Sequence, residues 1–316
     1  MKTVASTGRE DIAVVYILDL GEEQLVECVD ALQPPLPIQD KWVLLVSTMF
    51  GCPVRCKMCD AGGFYAGKLT AEQIFAQIDF LVDRRFPGRC IPSRQFKIQF
   101  ARMGEPALNP AVLDVIEQLP RRYHAPGCMP SVSTIAPHGA EDFLERLLEI
   151  KQALYPDGMF QFQFSLHTTD PTLRDEIIPV RKWSFEQMAE YGERFYQPGD
   201  RKITLNFALA QGNPLEAAAL GRYFSPEKFL VKITPLNPTH LARQHQLDSY
   251  ISTNADEEGE YQVVSHLRAA GYQVILSIGE LEENRIGSNC GQYLRRHLQA
   301  QRALEGGYTY DIQSFG

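Results

Sequence analysis

Apolar positions recur along this chain in two alternating patterns. Short β-rich runs begin at Trp42 (WVLLVST), Gln95 (QFKIQFA), Met129 (MPSVSTI), Phe160 (FQFQFSL), Lys202 (KITLNFAL), Phe229 (FLVKITPL) and Tyr272 (YQVILSI). Between them lie longer stretches of helical period: TAEQIFAQIDFLVDRR, PAVLDVIEQL, AEDFLERLLEIKQAL, SFEQMAEYGERF and EEGEYQVVSHLRAA. Strand and helix alternating about six times predict parallel strands with crossover helices, in an open doubly wound sheet or a (β/α) barrel. Either architecture puts chemistry at the carboxyl ends of the strands.

The first forty residues read differently. AVVYILDL and QLVECVDAL flank the polar GEE, which predicts a β-hairpin extension over residues 1–40, closed by the proline-rich linker ALQPPLPIQD. Residues 41–300 are then the core and 301–316 a loosely attached C-terminal tail. We find no internal repeat, heptad or low-complexity tract.

With 316 residues, 44% of them apolar, the chain can bury a barrel-sized core. No apolar run approaches the ~20 residues a membrane helix needs, and MKTVASTGREDIAVV lacks a secretory stretch, so a soluble cytoplasmic protein with no membrane partner is expected. A net charge of −8 argues against a large footprint on nucleic-acid phosphates. Local basic patches remain, at Arg121 with Arg122 and Arg295 with Arg296.

Seven cysteines are an odd number, and three of them crowd into FGCPVRCKMCDAGG, which suits a reducing compartment and a metal site. Cys52, Cys56 and Cys59 are spaced Cys-x3-Cys-x2-Cys in a loop directly after a strand. Three thiolates can ligate three irons of a 4Fe-4S cluster and leave the fourth open, where S-adenosylmethionine can be chelated and reductively cleaved to methionine and a 5′-deoxyadenosyl radical. The plainer alternative is zinc, but a closed zinc site wants four ligands, and no second Cys-x2-Cys or Cys-x2-His follows.

Other polar residues end apolar strands. Gly104 and Glu105 lie in Arg-Met-Gly-Glu-Pro at 102–106, Ser133 in SVSTIAP, Ser165 and His167 in FSLHTTD, and Asn237 in TPLNP. Each has a bland reading: a strand-to-helix turn for 102–106, a helix cap for the rest. Converging at one rim, they would instead hold a cofactor's polar groups.

The cysteine loop resembles the signature of the radical S-adenosylmethionine superfamily. Taken in order, LVECV, VSTMFGCPVRCKMCDAG, FARMGEPALNP, SVSTIAP, FSLHTTDPTLRDEIIPV, VKITPLNP and NCGQYL resemble the RlmN and Cfr ribosomal RNA adenine methyltransferases. The resemblance implies a partial (β/α)6 barrel carrying a 4Fe-4S cluster on Cys52, Cys56 and Cys59. It places S-adenosyl-L-methionine against Gly104, Glu105, Ser133, Ser165, His167 and Asn237. Cys290 of NCGQ becomes a methyl carrier: methylated by one cofactor molecule, it loses hydrogen to the radical from a second and adds to an sp2 carbon of adenine. Glu27 of LVECV matches the base that deprotonates the adduct; its bland reading is a solvated hairpin carboxylate. A reductant protein such as flavodoxin or ferredoxin is implied as partner.

Two departures stand out. The family resolves its covalent adduct with a cysteine seven positions before the first cluster ligand, and here that position is Leu45. Cys28 is the nearest substitute in sequence, although strand neighbours point to opposite faces, so Cys28 and Glu27 should not both face the site. Cys90 and Cys128 read as structural. The family also carries a helical domain before the hairpin, whereas this chain begins almost at the hairpin. That and the acidic balance shift the expectation partly from RNA toward a small molecule, a free nucleotide derivative or a peptide. A third reading is a non-catalytic zinc-binding protein.

Overall fold

The computed structural model describes residues 1–251, 261–277, 281–288 and 310–315. The chain opens on β1 (Lys2–Arg9), β2 (Ala13–Asp19) and β3 (Leu25–Ala31), in which the expected hairpin, β2 with β3, is extended by β1 into an antiparallel meander. The strand β1 escaped the apolar pattern because its core-facing positions are the small Ala5 and Thr7. Antiparallel pairing of β3 with β4 (Lys41–Val46) joins this meander to the main sheet.

Beyond β4 a small hairpin, β5 (Met49–Gly51) and β6 (Tyr65–Lys68), brackets the cysteine loop. Then follow α1 (Ala71–Arg85), β7 (Gln95–Phe100), α2 (Ala111–Arg122), β8 (Cys128–Thr134), α3 (Glu141–Leu154), β9 (Gln161–Ser165), α4 (Pro171–Ile177) and α5 (Phe185–Phe195). Next come β10 (Ile203–Leu209), α6 (Ala217–Leu220), β11 (Phe229–Pro235), α7 (His240–Gln244), α8 (Gln262–Ala269), β12 (Val274–Leu276), α9 (Leu281–Ile286) and β13 (Gln313–Ser314). Capping boxes, Thr70 with Gln73 and Ser184 with Gln187, start α1 and α5 where the sequence turns from polar to periodic.

One sheet contains β12-β11-β10-β9-β8-β7-β4-β3-β2-β1-β13 in that order, and every pairing from β12 to β4 is parallel. Each β-rich run read from the sequence supplies one of these parallel strands. The expected loose tail is not loose at its end: Gln313 and Ser314 pair with Ser6 and Ala5, and Phe315 N–H donates to Val4 O.

The sheet curls. In a flat sheet β7 and β11, four positions apart, would stand about 19 Å from one another. Yet the pKa of Lys97 on β7 is pushed well below its ordinary value, by burial first and then by the charges of Lys232 on β11, Lys41 and Arg201. The inner face of this partial barrel thus gathers cations from β4, β7 and β11. The outer face buries Phe96, Ile98, Phe100, Val132, Phe162, Phe164, Leu205, Phe207, Val231 and Ile233 under the helices. Period-two alternation sends their neighbours inward. Beneath the meander a second apolar cluster collects Val15, Ile17, Val29, Val43, Leu45, Met103 and Ile286.

Candidate active site

The cysteine loop begins where β4 ends. Its two ends are drawn together by a hydrogen bond from Cys52 N–H to Phe64 O at 3.0 Å, with Cys59 N–H donating to Cys56 O at 3.1 Å inside the loop. Gly51 has a φ of 79°, and a Cβ there would stand 1.9 Å from Phe64 O, so only glycine allows this closure. Burial pushes the Cys56 thiol well above its ordinary pKa, and negative charge on Cys59 and then Cys52 raises it further, so the three sulfurs feel one another. Burial, with the nearby charge of Glu105, raises Cys52 to about 11. Three half-buried thiols on one loop, whose thiolates would repel one another, suit a shared positive centre, and metal binding would release their protons.

Among the described residues no three His, Cys, Asp or Glu side chains converge on one ion. The donor set is all thiol and half-buried. A cluster in which each sulfur meets its own iron fits that chemistry, and the strands around it supply the rest of the fit.

The turn at 102–106 packs on this loop. Thr48 and Met49 donate backbone N–H to Met103 O at 2.7 and 3.1 Å. Gly104 lies at φ 104°, and a Cβ would meet Thr48 Oγ1 at 2.6 Å. Glu105 lies close enough to Cys52 for its charge to raise the thiol pKa. The Glu105 carboxylate is buried and accepts from Ala107 N–H and Ile135 N–H, both at 3.1 Å; even so, burial raises its pKa to about 7. Its bland role is therefore real, since it caps the turn Pro106–Leu108. It also sets a carboxylate beside the cysteine loop.

For the other candidates the capping alternative fails. The residues that stand at the starts of α3, α4 and α7 are Ala140, Asp170 and Thr239, not Ser133, Ser165 or Asn237. Ser133 accepts a hydrogen bond from Gln163, its cross-strand neighbour on the inner face. Ser165 faces Asn206 in register, and Asn206 faces Lys232. His167, half-buried at φ 66°, accepts Ala208 N–H on Nδ1 at 3.1 Å; burial, then Arg174, drops its pKa to about 4, so the ring is neutral. The loop carrying Asn237 docks on the cysteine loop through Asp60, which accepts from His240 and Leu241 N–H at 3.1 and 3.0 Å.

Glu27 is not a solvated hairpin carboxylate. It is fully buried, and its Oε2 accepts from Arg102 Nη2 at 2.6 Å and Nε at 2.9 Å. Cys28 points the other way, into the core beneath α1, as strand alternation requires. Leu45 faces inward with Val29 and Met103. Cys128 lies in the outer core and Cys90 is exposed. Outside the cluster loop, no described cysteine faces the lumen. Cys290 lies outside the described residues.

Sequence reading missed several residues. Ser131 Oγ and Gln163 Oε1 face the lumen, buried and without a hydrogen-bond partner, which suits a polar ligand. Asn109 Nδ2 ties both flanks of the cysteine loop by donating to Thr48 O and Leu69 O at 2.7 and 2.8 Å. Arg174 braces the end of β8 by donating to Ile135 O at 3.1 Å, and lies close enough to Cys56 to feel its charge. The alternation in FQFQFS was the available signal: its phenylalanines go outward, so its glutamines and serine must line the lumen.

The sequence profile of the Radical SAM superfamily matches residues 46–201. A Desulfitobacterium hafniense protein described as "Probable dual-specificity RNA methyltransferase RlmN" is 29% identical over 298 residues, covering 91% of this chain and 76% of its own. A Thermosynechococcus vestitus protein of the same description is 27% identical over 299 residues, covering 92% and 79%. The crystal structure of a radical SAM methyltransferase from Sphaerobacter thermophilus superposes with a TM-score of 0.68 at 20% identity, over 92% of this chain and 81% of that one, and so shares the fold.

Site, profile and relatives define a radical S-adenosylmethionine enzyme, which uses a 4Fe-4S cluster and S-adenosylmethionine. Within that superfamily the chain is RlmN/Cfr-like, similar over nine tenths of its length to proteins described as RlmN. The zinc-protein reading is set aside.

Proposed function

We propose that this enzyme transfers a methyl group to an sp2 carbon, with an adenine ring of RNA as the substrate the family resemblance implies and Cys290 as carrier. What supports it most is the packing of the 102–106 turn on the cysteine loop, through Thr48 and Met49 N–H donated to Met103 O, beside a buried carboxylate and unpartnered polar atoms in the lumen. When bound, the cluster and its cofactor supply a 5′-deoxyadenosyl radical able to abstract hydrogen.

This chain's residues do the holding. Cys52, Cys56 and Cys59 bind three irons. Gly104 and Glu105 receive the cofactor's amino group, the carboxylate matching an ammonium in a site of low dielectric. Ser133, Ser165 and Asn237 turn hydroxyl and amide groups toward its ribose and carboxylate. Neutral His167 keeps Nδ1 occupied and so offers Nε2–H as a donor. A one-electron donor of flavodoxin or ferredoxin type completes the cycle.

A second reading, in which a small molecule, free nucleotide derivative or peptide is methylated, is favoured by one observation. Leu45 fills the place of the family's second thiol, and Cys28, Cys90 and Cys128 all face elsewhere. Anaerobic assays with methyl-labelled cofactor decide between them, offering RNA fragments in one arm and free adenine nucleotides or peptides in the other. Label in an RNA base supports the first reading; label in the other arm alone replaces it.

A further inference from the structure

Arg102 links two parts of the molecule that the radical chemistry does not itself join. Its side chain is 1% exposed and that of Glu27 is 0% exposed, a fully buried ion pair. Nη2 and Nε take Glu27; Nη1 donates to Gly287 O at 3.0 Å and Ser288 O at 3.1 Å. One guanidinium thus spans β3, the turn before Gly104 and the end of α9.

The end of α9 needs that donor. Gly287 and Ser288 both give their N–H to Glu283 O, at 2.8 and 3.1 Å, and Gly287 takes a φ of 72° to leave the helix. Their own carbonyls then point away from the helix in a buried setting, where an unpartnered acceptor is costly. Arg102 satisfies both. Its backbone is fixed as well, since Arg102 N–H donates to Val46 O at 3.1 Å. Ile286, fully buried against Leu45 and Met103, holds the same segment by its apolar side.

We infer that Arg102 is a positioning residue that fixes the approach of the chain to Cys290, two residues beyond Ser288, and couples it to the turn that carries Glu105. This rests on the reading of Cys290 as methyl carrier. Glu27 then orients Arg102, a role that replaces the proton-abstracting one implied by the family resemblance. Only arginine meets the requirement, because a planar fork reaches a carboxylate on one edge and two carbonyls from the remaining nitrogen, whereas a lysine ammonium is a point charge.

The test is Arg102→Lys in the cluster-loaded full chain, which keeps a cation for Glu27 and loses the fork. Hydrogen exchange followed by mass spectrometry should show residues 281–288 exchanging about tenfold faster, with β3 and β4 unchanged. Cysteine methylation at Cys290 should fall by about tenfold, while iron content and cleavage to 5′-deoxyadenosine stay within about twofold of the parent. Unchanged exchange over 281–288 overturns the inference, as does loss of the cluster or of cleavage, which would put Arg102 in the fold of the cofactor site. If the parent itself carries no methyl on Cys290 under turnover, the carrier reading fails, while the exchange measurement still decides whether Arg102 holds the segment.

Discussion

The Glu105 carboxylate accepts the backbone N–H of Ile135 at 3.1 Å, tying the turn after β7 to the end of β8. A carboxylate already given two backbone donors, one on each oxygen, is fixed in place before any ligand arrives. It can meet a cofactor ammonium without further ordering.

Glu105→Gln keeps the cap and removes the charge. Losing a charge-assisted contact worth roughly 1.5–3 kcal/mol should weaken S-adenosylmethionine binding by about 10- to 100-fold. Equilibrium dialysis on cluster-loaded protein measures this. Iron content should not change, and unaltered affinity would remove Glu105 from the cofactor site.

Cys290→Ala should abolish methyl transfer and preserve reductive cleavage, since the residue lies outside the Cys-x3-Cys-x2-Cys loop that holds the cluster. Methylated product and 5′-deoxyadenosine, quantified in the same reaction, separate the two. Full methylation by this variant would end the carrier assignment.

Cys28→Ala and Cys128→Ala should each cost about 1 kcal/mol, the loss of a small buried group, and leave turnover unchanged. Both thiols sit in the outer core with raised pKa values, Cys128 at about 12, because burial disfavours the thiolate a disulfide exchange needs. Denaturant midpoints and product yields check this. Turnover lost with Cys28 alone would make it the resolving thiol after all.

His167 carries a pH signature. Burial and then Arg174 hold it at about 4, against about 6.5 in an unfolded chain. As pH falls from 6.5, the unfolded state takes up a proton that the folded state refuses. The contribution is therefore fully present above the unfolded value and is lost as pH drops toward about 4, an effect of up to about 3 kcal/mol. His167→Asn retains an acceptor for Ala208 N–H and tolerates the left-handed backbone. Urea unfolding at pH 7 and pH 4.5 should show a smaller loss for the variant than for the parent; equal losses would refute the assignment.

Much of this fold was legible because two periodicities alternate cleanly from Trp42 to Leu276. The apolar faces of β7 to β11 must be covered by helices, and that dictates the parallel sheet. Two things were not legible. The strand β1 has only Ala5 and Thr7 as inward positions, too little contrast to register, and β13 is a two-residue strand whose pairing spans nearly the whole chain. At the site, Cys52, Cys56 and Cys59 were read from their spacing, and Glu105 from the resemblance of Arg-Met-Gly-Glu-Pro to the family's motif. Arg102 did not, since nothing in FARMGEP reveals that its side chain crosses to Glu27 and Gly287. Such pairings depend on tertiary distance, which sequence separation does not encode.

The central claim is a 4Fe-4S cluster held by three cysteines with one iron open. Electron paramagnetic resonance on anaerobically purified, dithionite-reduced protein tests it most directly. The account predicts about four irons per chain and a reduced-cluster signal that shifts when S-adenosylmethionine is added, with the signal absent from Cys52→Ala, Cys56→Ala and Cys59→Ala. A colourless protein holding zinc, or a cluster signal indifferent to S-adenosylmethionine, would contradict it.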